Sequence, residues 1–183
     1  MLCVGGMIVI HANDSTTEVL SLLYKSRNDI SEHITETNTN VDVKNALLSD
    51  TSIMMLGHGN QYGLFSKPNK SGKFDRLLIT DKHVQFLRGK LCIGIWCYAN
   101  VFAERYGLHG VFSGMIVSEL QEAIDNHIVA TKDEIDYEME LFTIRLKYCL
   151  ENYKLEEIPK AMKCFDYSRT PLNEFNYNNI FYY

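Results

Sequence analysis

Ile53–Met54–Met55–Leu56–Gly57–His58–Gly59 and Leu91–Cys92–Ile93–Gly94–Ile95–Trp96–Cys97 are two short apolar runs that each stop at a chemically active residue. Runs of this length, rich in Ile, Leu and Met and punctuated by glycine, read as strands buried on both faces, the pattern of a parallel sheet. In such a sheet the carboxyl ends share one rim, and ligands bind there. The two runs therefore predict an imidazole and a thiol on the same edge, the minimum equipment for thiolate attack on a carbonyl.

Working outward, Val4–Ile10 reads as a first buried strand. Ser15–Thr16–Thr17–Glu18 has the S-x-x-E form of a capping box, with Val19, Leu20, Leu22 and Leu23 following at helical spacing. Asp14 is an equally natural N-cap at this point. Glu32–Thr37 is expected as a strand and Val41–Leu48 as a short helix. Tyr62–Ser66 and Phe74–Thr80 predict a hairpin around the locally basic turn Lys67–Arg76. Helices are expected at Asp81–Gly89, Asn100–Tyr106, Leu120–Asn126, Thr131–Tyr153 and Leu155–Phe165. Strands are expected at Val111–Val117 and in the aromatic tail Phe175–Tyr183. Short apolar strands alternating with helices give an α/β sandwich with a mostly parallel central sheet, as one domain over residues 1–183.

Composition bounds the function. The chain has 183 residues, 46% hydrophobic and 22% charged, the profile of an ordinary globular protein able to bury roughly 70% of its unfolded surface. A net charge of −5 gives no general attraction to nucleic acid or anionic lipid. No apolar run approaches the roughly 20 residues that cross a bilayer, and Met1–Ile10 lacks a basic leader, so a cytoplasmic location is expected. Five cysteines (Cys3, Cys92, Cys97, Cys149, Cys164), an odd number with no C-x-x-C pair, argue against a disulfide framework or zinc knuckle. Glu134, Asp136, Glu138 and Glu140 lack the spacing of a calcium loop and read as a solvated helix face. No metal or cofactor is expected.

Among the candidates at the sheet edge, Cys97 is the nucleophile and His58 its acid–base partner. A neighbouring imidazole, and the start of the helix at Asn100, would each favour the thiolate. Gly59 allows close backbone approach, so its N–H and that of Cys97 are the expected oxyanion donors. Cys92, Cys3, Cys149 and Cys164 sit in apolar surroundings and are expected in the core. His11, His33, His83, His109 and His127 read as surface or packing residues.

Leu56–Gly57–His58–Gly59 followed by Ile95–Trp96–Cys97, each closing an apolar strand in that order, resembles the caspase-like cysteine peptidases, a group that includes metacaspases, gingipains, legumain, separase and the CHAT proteins. Papain-like enzymes and class I glutamine amidotransferases place Cys before His. The resemblance implies a caspase–haemoglobinase-like three-layer sandwich, a His58/Cys97 dyad with Gly59 at the oxyanion, and cleavage of a peptide or protein substrate. It also implies that the strand after the nucleophile helps build the pocket for the residue before the scissile bond. Ser118 and Glu119 are then its candidates, and a carboxylate there would select Lys or Arg. Glu119 as a mere helix cap is the competing reading. Asn13–Asp14 would orient the imidazole or line the pocket, and the Lys67–Arg76 turn would be a self-cleavage site or lid. Trp96 stands where many members carry Ala, and the short stretch from Cys97 to Val111 leaves no room for a processing linker. Any regulator would be another protein or a mobile loop. A caspase-like adaptor without catalysis is the main alternative. A flavodoxin-like ligand-binding domain is a weaker one, because no G-x-G-x-x-G follows the first strand.

Overall fold

The computed structural model describes residues 6–49, 52–165, 167 and 169–183. In chain order the elements are β1 (Met7–His11), β2 (Ile30–Ile34), α1 (Asn40–Ala46), β3 (Ser52–Leu56), β4 (Gly59–Asn60), β5 (Gly63–Phe65), β6 (Leu77–Ile79), α2 (Val84–Leu87), β7 (Leu91–Ile95), α3 (Ala99–Tyr106), β8 (His109–Ser113), α4 (Leu120–Asp125), α5 (Lys132–Asn152), α6 (Ile158–Cys164), α7 (Pro171–Asn178) and β9 (Ile180–Tyr182). The main sheet has the order β2-β1-β3-β7-β8-β9, and β4, β5 and β6 form a small antiparallel sheet. In the main sheet every pairing is parallel except that of β9 with β8.

Strand residues alternate between two cores, as a period of two demands. Met7, Val9, Met54, Leu56, Ile93 and Ile95 pack with Ile135, Met139, Phe142 and Leu146 of α5. Ile8, Ile10, Ile53, Met55 and Cys92 pack with Val43 of α1, Leu87 of α2 and Phe102 of α3. Helices thus cover both faces of a mostly parallel sheet, the α/β class expected from the apolar runs.

The register decides where the chemistry lies. His11 pairs with Leu56, and Leu56 with Ile95, so β1, β3 and β7 end level with one another. The residues that follow each strand, including His58 and Cys97, therefore leave along one edge.

Several expectations shift. The Ser15–Glu18 capping box does not form: a 3-10 helix spans Glu18–Leu23, its N-cap is Thr17, and no side chain caps it. The second strand is Ile30–Ile34, because pairing with β1 starts at Met7↔Ile30 and ends at Ile10↔Ile34. β8 ends at Ser113 rather than Val117. Beyond it the Asn176 side chain takes over, accepting from Val117 N–H (2.8 Å) and donating to Val117 C=O (3.0 Å). The expected tail strand is divided: Thr170 caps α7 and Pro171 opens it, so Phe175 to Asn178 are helical and only Ile180–Tyr182 is strand. Cys92 and Cys149 are buried, but Cys164, at the end of α6, is exposed. Cys3, with Val4 and Gly5 of the expected first strand, lies outside the described residues.

Candidate functional site

Gly57 follows β3 with φ +135°, a backbone that only glycine adopts freely. Its N–H donates to Ile95 C=O (3.1 Å), which extends the β3–β7 pairing by one bond before the chain turns away and delivers His58. On the neighbouring strand, Trp96 N–H donates to Ser113 Oγ (2.9 Å), and that hydroxyl donates back to Trp96 C=O (2.8 Å). Cys97 is released next, ahead of a turn in which Tyr98 takes φ +67°.

Trp96 also borders the cavity that His58 and Cys97 line. Its ring lies in the core beneath β4, and its indole N–H donates to Asn60 C=O (3.1 Å). A Cβ built on Gly59 would sit 2.1 Å from Trp96 Cδ1 and 2.6 Å from Gly63 C=O. Packing against Trp96 thus requires glycine at 59, a constraint separate from any catalytic one.

His58 and Cys97 line the same small cavity, of about 30 Å³, together with Thr16, Ile95, Ile116 and Ser118. Beside it opens a cleft of about 550 Å³ that shares Thr16, Val19, Ser118 and Met139 with the cavity. Glu119, Lys132 and Asp136 also line this cleft.

The Phe65 N–H donates to His58 C=O (2.8 Å), which makes the antiparallel pair Gly59↔Leu64 the type whose own N–H groups point away from the partner strand. Gly59 N–H is therefore not committed to β5. Among the described residues Cys97 N–H also has no acceptor. Both expected oxyanion donors remain available.

The electrostatics differ from expectation. Cys97 is half-buried, with Sγ 3.7 Å from Ile116 C=O and 3.7 Å from Glu122 Oε1. Burial, followed by the Glu122 carboxylate, pushes its thiol up to about 12, so it is protonated at neutral pH. Among the described residues no hydrogen bond joins His58 to Cys97. His58 Nε2 instead lies 2.7 Å from Thr16 Oγ1 and 3.8 Å from both Asp14 Oδ2 and Glu119 Oε1. Phe74, from the basic hairpin turn, packs its ring 5.1 Å from the imidazole and stacks on Phe65 at 4.9 Å.

Ser118 and Glu119 are brought to the site. Capping of α4, however, is done chiefly by Glu122, whose Oε2 accepts from Ser118 N–H (2.8 Å), Ser118 Oγ (3.0 Å) and Glu119 N–H (3.1 Å). Sequence reasoning missed Glu122 and Thr16. The spacing Glu119-x-x-Glu122 before a helix was the available signal for Glu122. Thr16 was hidden inside an apparent capping box. The Asn13 backbone N–H donates to Glu36 Oε2 (2.9 Å), and among the described residues no hydrogen bond joins Asn13 to His58. Among the described residues no group of three His, Cys, Asp or Glu side chains is arranged to hold a metal ion, and no helix is long and apolar enough to cross a membrane. No family model, curated protein or solved structure matches the chain.

Proposed function

We propose that this protein is a caspase-like cysteine endopeptidase whose His58/Cys97 dyad rests in a protonated, closed state. One observation carries the reading: His58 and Cys97 line a single cavity at the ends of adjacent parallel strands. In the reaction the Cys97 thiol gives its proton to His58 as sulfur attacks the substrate carbonyl. Gly59 N–H and Cys97 N–H hold the oxyanion. His58 returns the proton to the leaving amine, and water activated by the same imidazole then hydrolyses the thioester.

The cleft beside the cavity supports a Lys or Arg side chain before the scissile bond. Val19, Ile135 and Met139 offer an aliphatic wall for the stem, and Glu119 and Asp136 face the cation, with Lys132 already paired to Asp136 at 2.5 Å. Glu119 is then both a pocket residue and a neighbour of the dyad. A fluorogenic peptide library varied at this position tests the reading. Turnover concentrated on Lys and Arg and abolished in Cys97→Ala supports it; no turnover with any residue overturns it.

The second reading is a binding domain of the same architecture without catalysis. The observation in its favour is the Glu122 carboxylate beside the Cys97 sulfur, an arrangement that opposes thiolate formation.

A further inference from the structure

The turn after β1 is built around Asp14. Asp14 N–H donates to Ala12 C=O (2.8 Å), and Asp14 C=O accepts from Thr17 N–H (3.1 Å). Its Oδ1 accepts from both Thr16 N–H (3.1 Å) and Thr16 Oγ1 (2.9 Å), and only 7% of the residue is exposed. An ionised carboxylate accepts hydrogen bonds and cannot donate. The single Thr16 hydroxyl proton is thus committed to Asp14. Thr16 Oγ1 lies 2.7 Å from His58 Nε2, so in this contact the hydroxyl can act only as acceptor. The proton between them belongs to His58 Nε2.

A neutral imidazole protonated at Nε2 carries its lone pair on Nδ1. Among the described residues Nδ1 makes no hydrogen bond, and the ring shares its cavity with Cys97. We propose that Thr16 and Asp14 are positioning residues that hold His58 in the Nε2–H tautomer, so that Nδ1 is the atom that exchanges the proton with the Cys97 thiol and the leaving amine. This rests on the peptidase reading of the dyad. The Cys97 S–H bond breaks as the S–C bond to the acyl group forms; the proton moves to Nδ1 and then to the amine nitrogen as the C–N bond breaks. While the ring is doubly protonated, the carboxylates of Asp14 and Glu119, each 3.8 Å from Nε2, face the charge. The packing of Phe74 against the ring restrains it further.

The test uses the full chain with ¹⁵N-labelled histidine. In the wild type, ring ¹⁵N spectra should show a pyridine-type Nδ1 at His58 and a directly bonded Nε2 proton protected from solvent exchange. Thr16→Val, which keeps the side-chain volume but removes the acceptor, should lose that protected proton and lower kcat/KM about 100-fold, with most of the loss in kcat. Thr16→Ser, which keeps the hydroxyl, should restore both and guards against a folding artefact. A wild-type His58 protonated at Nδ1, or a Thr16→Val protein with an equally protected Nε2 proton, would overturn the proposal. A protected Nε2 proton in a protein whose Cys97 never acylates overturns the peptidase reading, and with it the role of Nδ1, while leaving the hydrogen-bond chain standing. The two failures are therefore distinguishable.

Discussion

Glu122 sets the resting chemistry of the site at the scale of a single residue. One carboxylate oxygen ties down the start of α4 through Ser118 and Glu119, and the other faces the Cys97 sulfur at 3.7 Å. The thiol is held near 12, above its ordinary value, by burial first and by this carboxylate second. Glu122→Gln keeps an oxygen able to cap the helix but removes the charge. The thiolate fraction of Cys97 should then rise, and alkylation by iodoacetamide at pH 8, followed by peptide mapping, should accelerate about tenfold, the equivalent of one pKa unit. The direction follows from removing a negative charge beside an incipient anion. An unchanged rate would mean that burial alone controls the sulfur.

At the scale of elements, the turn of the hairpin β5–β6 packs against His58 through Phe74. Arg76 anchors its base by donating to the Glu36 and Asn38 carbonyls, and Asn69 Oδ1 organises its tip by accepting from Ser71 N–H (2.9 Å) and Lys73 N–H (3.1 Å). Phe74 is 36% exposed and rests on His58. Phe74→Ala should cost less than about 1 kcal/mol of stability, as for a largely surface position. It should also raise the rate at which diethylpyrocarbonate modifies His58 several-fold. An equal rate would show that the ring does not shield the imidazole. The hairpin was legible in the sequence because Lys67–Pro68–Asn69 and Ser71–Gly72 are unmistakable turn residues between apolar runs. The central strands β1, β3 and β7 were legible for the same local reason. The ends of β8 and the identity of α7 were not, because a side chain 59 positions away, Asn176, satisfies the Val117 backbone in place of a strand partner. The Ser15–Glu18 box departs from the structure for a related reason. A motif suited to capping a helix was recruited instead by an imidazole that lies 42 residues from Thr16 in sequence.

At the scale of the whole molecule, level strand ends place His58, Cys97 and the Asp14 turn along one edge, and the buried His11 just behind them. His11 bonds Tyr24 (3.1 Å) and Thr17 (3.2 Å), and burial, reinforced by His33, lowers its pKa to about 4. A folded pKa below the unfolded one means that the unfolded chain takes up the proton first. The associated stability is present above about pH 6.5 and is lost as pH falls toward 4, roughly 3 kcal/mol across that window. Urea unfolding at pH 7 and pH 4.5 should therefore show a larger loss for the wild type than for His11→Gln, which cannot be protonated. Parallel losses would exclude His11 as the cause. The central claim is that imidazole and sulfur act on one carbonyl at this edge. Its most direct measurement is mass spectrometry of the protein after exposure to a peptidyl acyloxymethyl ketone bearing Lys or Arg, in wild type and in His58→Ala. The account predicts a single adduct on Cys97 that forms at least about 100-fold more slowly without His58. Labelling of Cys97 at the same rate in both proteins, or labelling of the exposed Cys164 alone, would contradict it.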